Sequence, residues 1–367
     1  MRNINKFIEK LNSYQVSSHK VWDLKDKVSV LKMDWNESTI TPSIKVKSAL
    51  IDFINSNPLN WYPDLNNQKL NFLLSKYTSL PQENIQYFGG SDSLHEYIVK
   101  TFLNPGEKIL IVGPTYDHFR AVVESLGGLV EYHYLSESSN YAFFVNELNN
   151  KIKLGNYKIV YVCNPNNPTG TIILPDEIQL LLNENPETLF LIDEAYHEFN
   201  REYTASAFVR KFNNIIISRT FSKAFGLAGF RVGYALSSTE NISYLTKVRN
   251  PKNITALSQV AAIAALSDLE YINHYIEEVR LSKNILIDNY KKFLVRGLKF
   301  LNLDMGGNFV LIHCETKEIK TDVLRMFESH NMFLRDFSWN KQLENCIRMT
   351  IGTQEQTKKV LGFLVDE

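Results

Sequence analysis

Three runs, KIVYVCN (158–164), LFLIDEAY (189–196) and NIIISRT (214–220), decide the fold. Each carries three to five unbroken apolar residues and ends in polar ones. Strands covered on both faces read this way, whereas a half-exposed strand alternates. KILIVG (108–113) is a fourth run of the same kind, and DHFRAVVESLGG (117–128) and DEIQLLLN (176–183) lie between them with helical spacing. From about Ser91 to Thr220 the chain therefore alternates strand and helix, the signature of a parallel sheet with crossover helices. The expected fold is α/β: a mostly parallel sheet with flanking helices.

Beyond Asn253 the texture changes. A long helical stretch runs from about Leu257 to Phe293, followed by β-like FVLIHC (309–314), MFLRDF (332–337) and CIRMTIG (346–352) with a helical segment between. This predicts a second, smaller α+β domain. The first 35 residues lack sheet periodicity and are expected to wrap back onto it. The division is an arm at 1–35 joining the small domain, a large domain at 36–250 and a small domain at 251–367. A length of 367 residues, 44% of them hydrophobic, suits one large domain and a companion.

Composition narrows the function. Lys+Arg and Asp+Glu balance at 40 each, which removes the electrostatic case for a nucleic-acid partner and requires any anion to be bound locally. Cys163, Cys314 and Cys346 are few, odd in number and not spaced as metal ligands, so a reduced cytoplasmic setting is expected and no metal. No segment has the length of a signal peptide's apolar core or approaches the ~18 unbroken apolar residues of a membrane span.

Ligands of open α/β sheets sit beyond the carboxyl ends of the strands. Four such ends are chemically unusual: Gly89 to Ser93, Asn164 to Gly170, Asp193 to Tyr196, and Ser218 to Lys223. The first, a glycine pair before a helix start, offers free amides and a positive helix end to a phosphate; read alone, such a motif is more often just a turn with an N-cap. Thr220, Ser222 and Arg231 add two hydroxyls and a guanidinium suited to the same dianion, although Arg231 alone reads as a surface or ion-paired arginine. Asp193 ends a buried strand, where a carboxylate wants a cation: either a salt-bridge partner or cap, or a protonated pyridine nitrogen. At 3 to 4 Å and an effective dielectric of ~20 that attraction is about 4 kcal/mol before desolvation. Lys223 sits among Phe221, Phe225, Leu227 and Phe230, which would depress its pKa and free an amine nucleophile; an isolated lysine would simply be solvated.

Taken together, these residues closely resemble the fold-type I pyridoxal 5'-phosphate (PLP) aminotransferases, specifically the histidinol-phosphate aminotransferase branch, from about Tyr14 to Gly352. SRTFSKAFGLAGFRVGY (218–234) is similar to that branch's Schiff-base segment almost throughout. The resemblance makes Lys223 the Schiff-base lysine and Arg231 the phosphate-binding arginine. It places Asn167 of NPNNPTG and Tyr196 of DEAY on the pyridoxal 3'-oxygen and Asp193 under the ring nitrogen. It puts Ser91 and Asp92 where backbone amides hold the phosphate, and Tyr116 of GPTYDHF on the ring face. Tyr62 of WYPD resembles a tyrosine that reaches the cofactor phosphate of the neighbouring subunit, so a homodimer is implied. Arg348 of CIRMTIGT is implied as the clamp for an amino acid's α-carboxylate and Arg335 of LRDF as a second substrate arginine. Tyr14 and Asn36 fall near substrate positions.

The chain departs from the branch in two places. Where NENPxGPSP is usual, it reads Asn36-Glu37-Ser38-Thr39-Ile40-Thr41-Pro42-Ser43, and the phosphate loop is GSDS in place of GSDE. The first change bears on the substrate and leaves the cofactor assignment untouched. The function implied is transfer of an amino group, with glutamate as donor, to a small phosphorylated ketone. The candidates are imidazole acetol phosphate and dihydroxyacetone phosphate, the latter giving serinol phosphate. Decarboxylation of O-phosphoserine or O-phosphothreonine on the same scaffold is the alternative. A regulatory protein that kept the site but lost catalysis is disfavoured by the intact Lys223 and the lack of a DNA-binding extension.

Overall fold

The computed structural model describes residues 3–15 and 20–366. Among the described residues twelve strands form two sheets: β1 (Leu31–Met33), β2 (Ile85–Phe88), β3 (Lys108–Gly113), β4 (Leu129–Tyr134), β5 (Ile159–Cys163), β6 (Leu189–Asp193), β7 (Ile215–Thr220), β8 (Gly233–Ser237), β9 (Leu298–Leu301), β10 (Phe309–Cys314), β11 (Met332–Asp336) and β12 (Cys346–Thr350). The larger has the order β2-β8-β7-β6-β5-β3-β4, with only β8 antiparallel to its neighbours. Its central strands alternate strictly between two cores. Val160, Val162, Phe190, Ile192, Ile215 and Ile217 face one, and Ile159, Tyr161, Leu189, Leu191 and Ile216 the other. The continuous apolar runs are thus two interleaved faces, each covered by helices.

Register positions the chemistry. Cys163, Asp193 and Ser218 are paired neighbours across β5, β6 and β7, so the polar residues that follow these strands emerge side by side. Because β8 runs the other way, its first residue, Gly233, lies opposite both Thr220 and Phe88. The chain before β8 and the loop after β2 therefore reach the same edge.

The small sheet, β1-β11-β12-β10-β9, encloses its own core of Met33, Phe293, Val310, Ile347 and Val360. Three details differ from expectation. β1 is a strand after all, pairing in parallel with β11; three residues are too few for alternation to show. The N-terminal segment also divides its contacts: Arg120 of the large domain donates to Asn12 O and Phe7 lies against Gly127, while Lys20 pairs with Glu328 of the small domain. Finally, the helical stretch after 256 is three helices, Ala256–Leu266, Leu269–Asp288 and Tyr290–Val295. The first packs on the helices Ile44–Ser56 and Gln68–Thr78 with Ala261, Ala262 and Ala265 in the large core, so large-domain packing continues past residue 250. Ser267 and Asp268, residues that favour helix ends, break the path, and Asp268 is held there by Lys45.

Gly233 shows how tightly the edge is built. A Cβ there would lie 2.7 Å from Gly90 C and Ser91 N, backbone atoms with no rotamer to escape into. Gly233→Ala is expected to lower stability in urea unfolding by about 1–3 kcal/mol through overpacking. Gly229→Ala, with nothing within 4 Å of the added methyl, should stay near wild type.

Candidate active site

The helix Ser91–Phe102 begins at this edge. Gly90 is its N-cap at φ +93 and, having no side chain, makes no cap bond of its own to the leading amides. A Cβ on Gly90 would come within 2.7 Å of Arg231 Nη2, so a glycine is needed both for the backbone conformation and for the close approach of the guanidinium. Arg231 donates to Ser222 Oγ at 3.3 Å and to Asp92 Oδ2 at 2.9 Å, and Thr220 Oγ1 donates to Ser222 Oγ at 2.9 Å. Tyr116 O–H in turn donates to Asp92 Oδ1 at 3.1 Å. Burial raises the Asp92 pKa, but His118, His95, Arg231 and the Tyr116 hydrogen bond together leave it lowered. The Gly-Gly-Ser turn and Thr220, Ser222 and Arg231 thus converge on one cradle, as expected of an anion site at a helix N-terminus.

Asp193, 3% exposed, ends β6. Its Oδ2 accepts from Tyr161 O–H at 2.8 Å and its Oδ1 from Ala195 N–H at 3.2 Å, with His95 Nε2 3.8 Å away. Among the described residues no lysine or arginine pairs with it, and the Ala195 bond is a local turn, not a helix cap, because the short helix His197–Phe199 that follows starts from Tyr196. Burial raises its pKa, against His95 and Tyr161.

Lys223 follows β7 and is half-buried, its ammonium donating to Trp35 O at 2.8 Å and standing 5.5 Å from the Tyr196 ring centre. Burial, reinforced by Arg348, lowers its pKa to about 8. Tyr196 O–H, buried, accepts from Asn167 Nδ2 at 3.2 Å and from Asn36 Nδ2 at 3.1 Å. Asn36 is itself wholly buried at φ +56 and bonded to Thr350 on both sides.

Arg348 and Arg335 are cross-strand partners on β12 and β11, each 6% exposed. Arg348 donates to Asn167 Oδ1 at 2.5 Å and to Asp34 O, while its Nε has no partner among the described residues. Burial lowers its pKa to about 10, with Arg335 adding to the effect. Arg335 donates to Gln15 O at 3.2 Å. Neither guanidinium has a carboxylate partner among the described residues. The Tyr14 ring stands edge-on to Tyr116 at 5.6 Å and feels the charge of both arginines.

Tyr62 is the one expected residue that the structure does not bring to this network. Its ring is 76% exposed, under Lys252 Nζ at 4.0 Å. Conversely, Tyr161 and His95 touch Asp193 and were not singled out in the sequence. Their signals were a hydroxyl within the apolar run KIVYVCN and a histidine one helical turn after Ser91.

The donor set fits a phosphorylated, carbonyl-bearing nitrogen heterocycle. The glycine cradle with Thr220, Ser222 and Arg231 suits a phosphate dianion, Lys223 a carbonyl, and Asp193 a protonated ring nitrogen. Asn167 and Tyr196 suit a ring oxygen.

The comparisons agree with this chemistry. Residues 28–364 match the family described as aminotransferase class I and II. A dihydroxyacetone phosphate transaminase of Campylobacter jejuni is 39% identical over 357 residues, 97% of this chain and 95% of that protein. A histidinol-phosphate aminotransferase of Ruminiclostridium cellulolyticum is 33% identical over 97% of this chain and 98% of its own length. In fold, the chain superposes on the Sinorhizobium meliloti histidinol-phosphate aminotransferase, solved with pyridoxal 5'-phosphate, with a TM-score of 0.86 at 24% identity over 100% of this chain and 96% of the other. The chain belongs to the class I and II aminotransferases, the pyridoxal 5'-phosphate enzymes whose cofactor its donor set fits.

Proposed function

We propose that this enzyme moves an amino group from an amino acid, glutamate first, to a small phosphorylated ketone, with dihydroxyacetone phosphate the leading acceptor and serinol phosphate its product. The observation that carries this reading is the pair of buried arginines, Arg335 and Arg348, side by side with no carboxylate partner of their own among the described residues. Two buried cations call for two anionic groups. Donor and acceptor supply them, as an α-carboxylate on Arg348 and a phosphate on Arg335. The 39% identity to a dihydroxyacetone phosphate transaminase supports that acceptor over imidazole acetol phosphate. The departure at Asn36 to Ser43 from the pattern usual in the histidinol-phosphate branch supports it as well.

In this reading the Gly90 cradle, Thr220, Ser222 and Arg231 hold the cofactor phosphate, with Ser91 and Asp92 contributing their amides, and Tyr116 covers the ring. Asp193 faces the ring nitrogen, and Asn167 and Tyr196 share the ring oxygen. When bound, the cofactor supplies a protonated ring that withdraws electrons from the substrate's Cα and carries the amino group between the half-reactions. Lys223 anchors it and, once displaced by substrate, takes the Cα proton on Nζ and delivers it across the site. Its lowered pKa suits that task, since an amine protonated to pH 10.5 would be a poor base at neutrality. Tyr14 and Asn36 close the pocket beside the arginines.

The same reading makes the enzyme a homodimer in which Tyr62 of each copy reaches the other's phosphate. Support comes from the exposed Leu59, Trp61, Tyr62 and Leu65, an apolar run that a single copy leaves uncovered. A cytoplasmic setting fits three buried free cysteines, and no described helix is long and apolar enough to cross a membrane.

Absorbance of the holoenzyme tests the reading. Glutamate should bleach the cofactor band and one phosphorylated ketone should restore it, whereas carbon dioxide released from O-phosphothreonine or O-phosphoserine would replace transamination by decarboxylation. Lys223→Ala should cut turnover by at least roughly 10²- to 10⁴-fold. Arg335→Gln should raise KM for the phosphorylated ketone roughly 10- to 100-fold, the loss of a charged hydrogen bond, and affect glutamate far less. In the cofactor-free protein, acylation of Lys223 followed by peptide mass spectrometry should accelerate through a midpoint near pH 8; a midpoint near 10.5 would mean a solvated amine.

A further inference from the structure

Asp193 has a neighbour that this chemistry leaves unused. His95, on the helix Ser91–Phe102, is fully buried with Nε2 3.8 Å from Asp193 Oδ2, within ion-pair reach and longer than a hydrogen bond. Neither ring nitrogen has a hydrogen-bond partner among the described residues. Edge-on packing against Phe119 and Tyr161, at 5.5 and 5.8 Å between ring centres, fixes the imidazole. Burying two unpartnered nitrogens is unfavourable, and an apolar side chain would fill this wall at lower cost. A polar group kept under those terms points to a role in the site.

The titratable groups that face it come from every side: Asp193 from β6, Tyr161 from β5, Asp92 from its own helix and His118 from the helix His118–Ser125. Burial acts most strongly and opposes a charged imidazole, against the two carboxylates, so the ring stays neutral. A neutral imidazole carries one N–H. Beside a carboxylate the favoured tautomer has that proton on the nearer nitrogen, here Nε2.

We propose that His95 is a positioning residue that weakens Asp193 as a proton acceptor and so leaves the shared proton on the cofactor's ring nitrogen. The inference rests on the reading of Asp193 given above. With Tyr161 O–H and Ala195 N–H already on the carboxylate, the Nε2–H dipole is a third positive end aimed at the same charge. Each stabilises the ionised carboxylate relative to its protonated form. Because burial holds the His95 pKa below its usual value, a neutral imidazole at neutral pH does not compete with the ring as the cation opposite Asp193.

Holoenzyme of the full chain with His95→Leu and with His95→Asn provides the test. The pH midpoint of the bound cofactor's absorbance transition falls when the ring is cationic, so His95→Leu should move it upward, by up to about one unit. The glutamate half-reaction should slow by about tenfold with KM little changed, which is the same one-unit effect read as a rate. His95→Asn, which keeps an N–H, should recover most of both. Thermal stability of the cofactor-free His95→Leu protein should hold or rise, since two unpartnered nitrogens are removed. An unmoved midpoint in a folded His95→Leu enzyme overturns the proposal, as does a loss of stability with no spectral change. Asp193→Asn is the reference. If it leaves the midpoint in place, the reading of Asp193 has failed; if it moves the midpoint while His95→Leu does not, only the role of His95 has.

Discussion

A carboxylate at the end of a strand buried on both faces is expensive unless the surroundings answer its charge. Asp193 is placed that way, and much of the site follows from it. Two residues before its β5 neighbour Cys163 stands Tyr161, whose hydroxyl would be out of place in an apolar run except that it bonds the carboxylate. The next backbone amide but one turns back to the second oxygen. Even the helix that opens the anion cradle contributes, through His95. None of these is a full positive charge while His95 is neutral, so the carboxylate is solvated by dipoles but not neutralised. In the function proposed above, a protonated heterocycle would supply what is missing. The same burial that raises the proton affinity of Asp193 in isolation strengthens its attraction for such a cation.

The second organising element is a chain of neutral amides between the domains. Asn167, on the large domain, receives Arg348 from the small one and passes a hydrogen to Tyr196, which also receives Asn36. Nearby, Asn302 donates to Thr169 O at 2.8 Å and the Gly306 Cα packs against Gly170, so the loop after β9 rests on the same NPNNPTG turn. Lys283, buried on the helix Leu269–Asp288, ties that loop from behind through Met305 O at 2.7 Å. Arg348 of the small sheet is thus linked through Asn167 to the tyrosine beside Lys223. An arginine that bound a substrate carboxylate would weaken its own hold on Asn167, which couples filling of the pocket to the hydrogen bonds around Tyr196.

Much of this was legible from residue order because it is written in local pattern. Runs such as KIVYVCN and LFLID announce doubly covered strands, and the polar residues after them emerge together once the strands are parallel. Arg231 reaches the cradle because β8 is antiparallel, which no local pattern states. Other features depend on partners distant in sequence. β1 is a strand only because β11 offers it an edge, and the break at Ser267–Asp268 is fixed by Lys45. His95 and Tyr161 read as helix and strand filler until the fold sets them against Asp193. Tyr62 meets Lys252 among the described residues, a contact that no local pattern announces.

The segment Asn36 to Ser43 shows what the loss of a proline and a glycine does locally. Ser38 Oγ bonds Ile40 O, and Tyr275 O–H and Tyr271 O–H, both from the helix Leu269–Asp288, meet Thr39 N and Thr41 O. Side chains and the long helix thus hold a turn that proline and glycine would otherwise pre-shape. Lys32 stands beside it, paired with Glu37 and Asp34 and lying over the Trp35 ring at 4.1 Å. Glu37 and Lys32 both influence Lys223, one raising and the other lowering its proton affinity. A turn tied to the helix Leu269–Asp288 thus brings charge to the Lys223 amine. In the function proposed above, substitutions in this segment would alter substrate fit and the lysine's basicity together, a physical reason for this turn to depart from the branch's pattern while 218–234 keeps it.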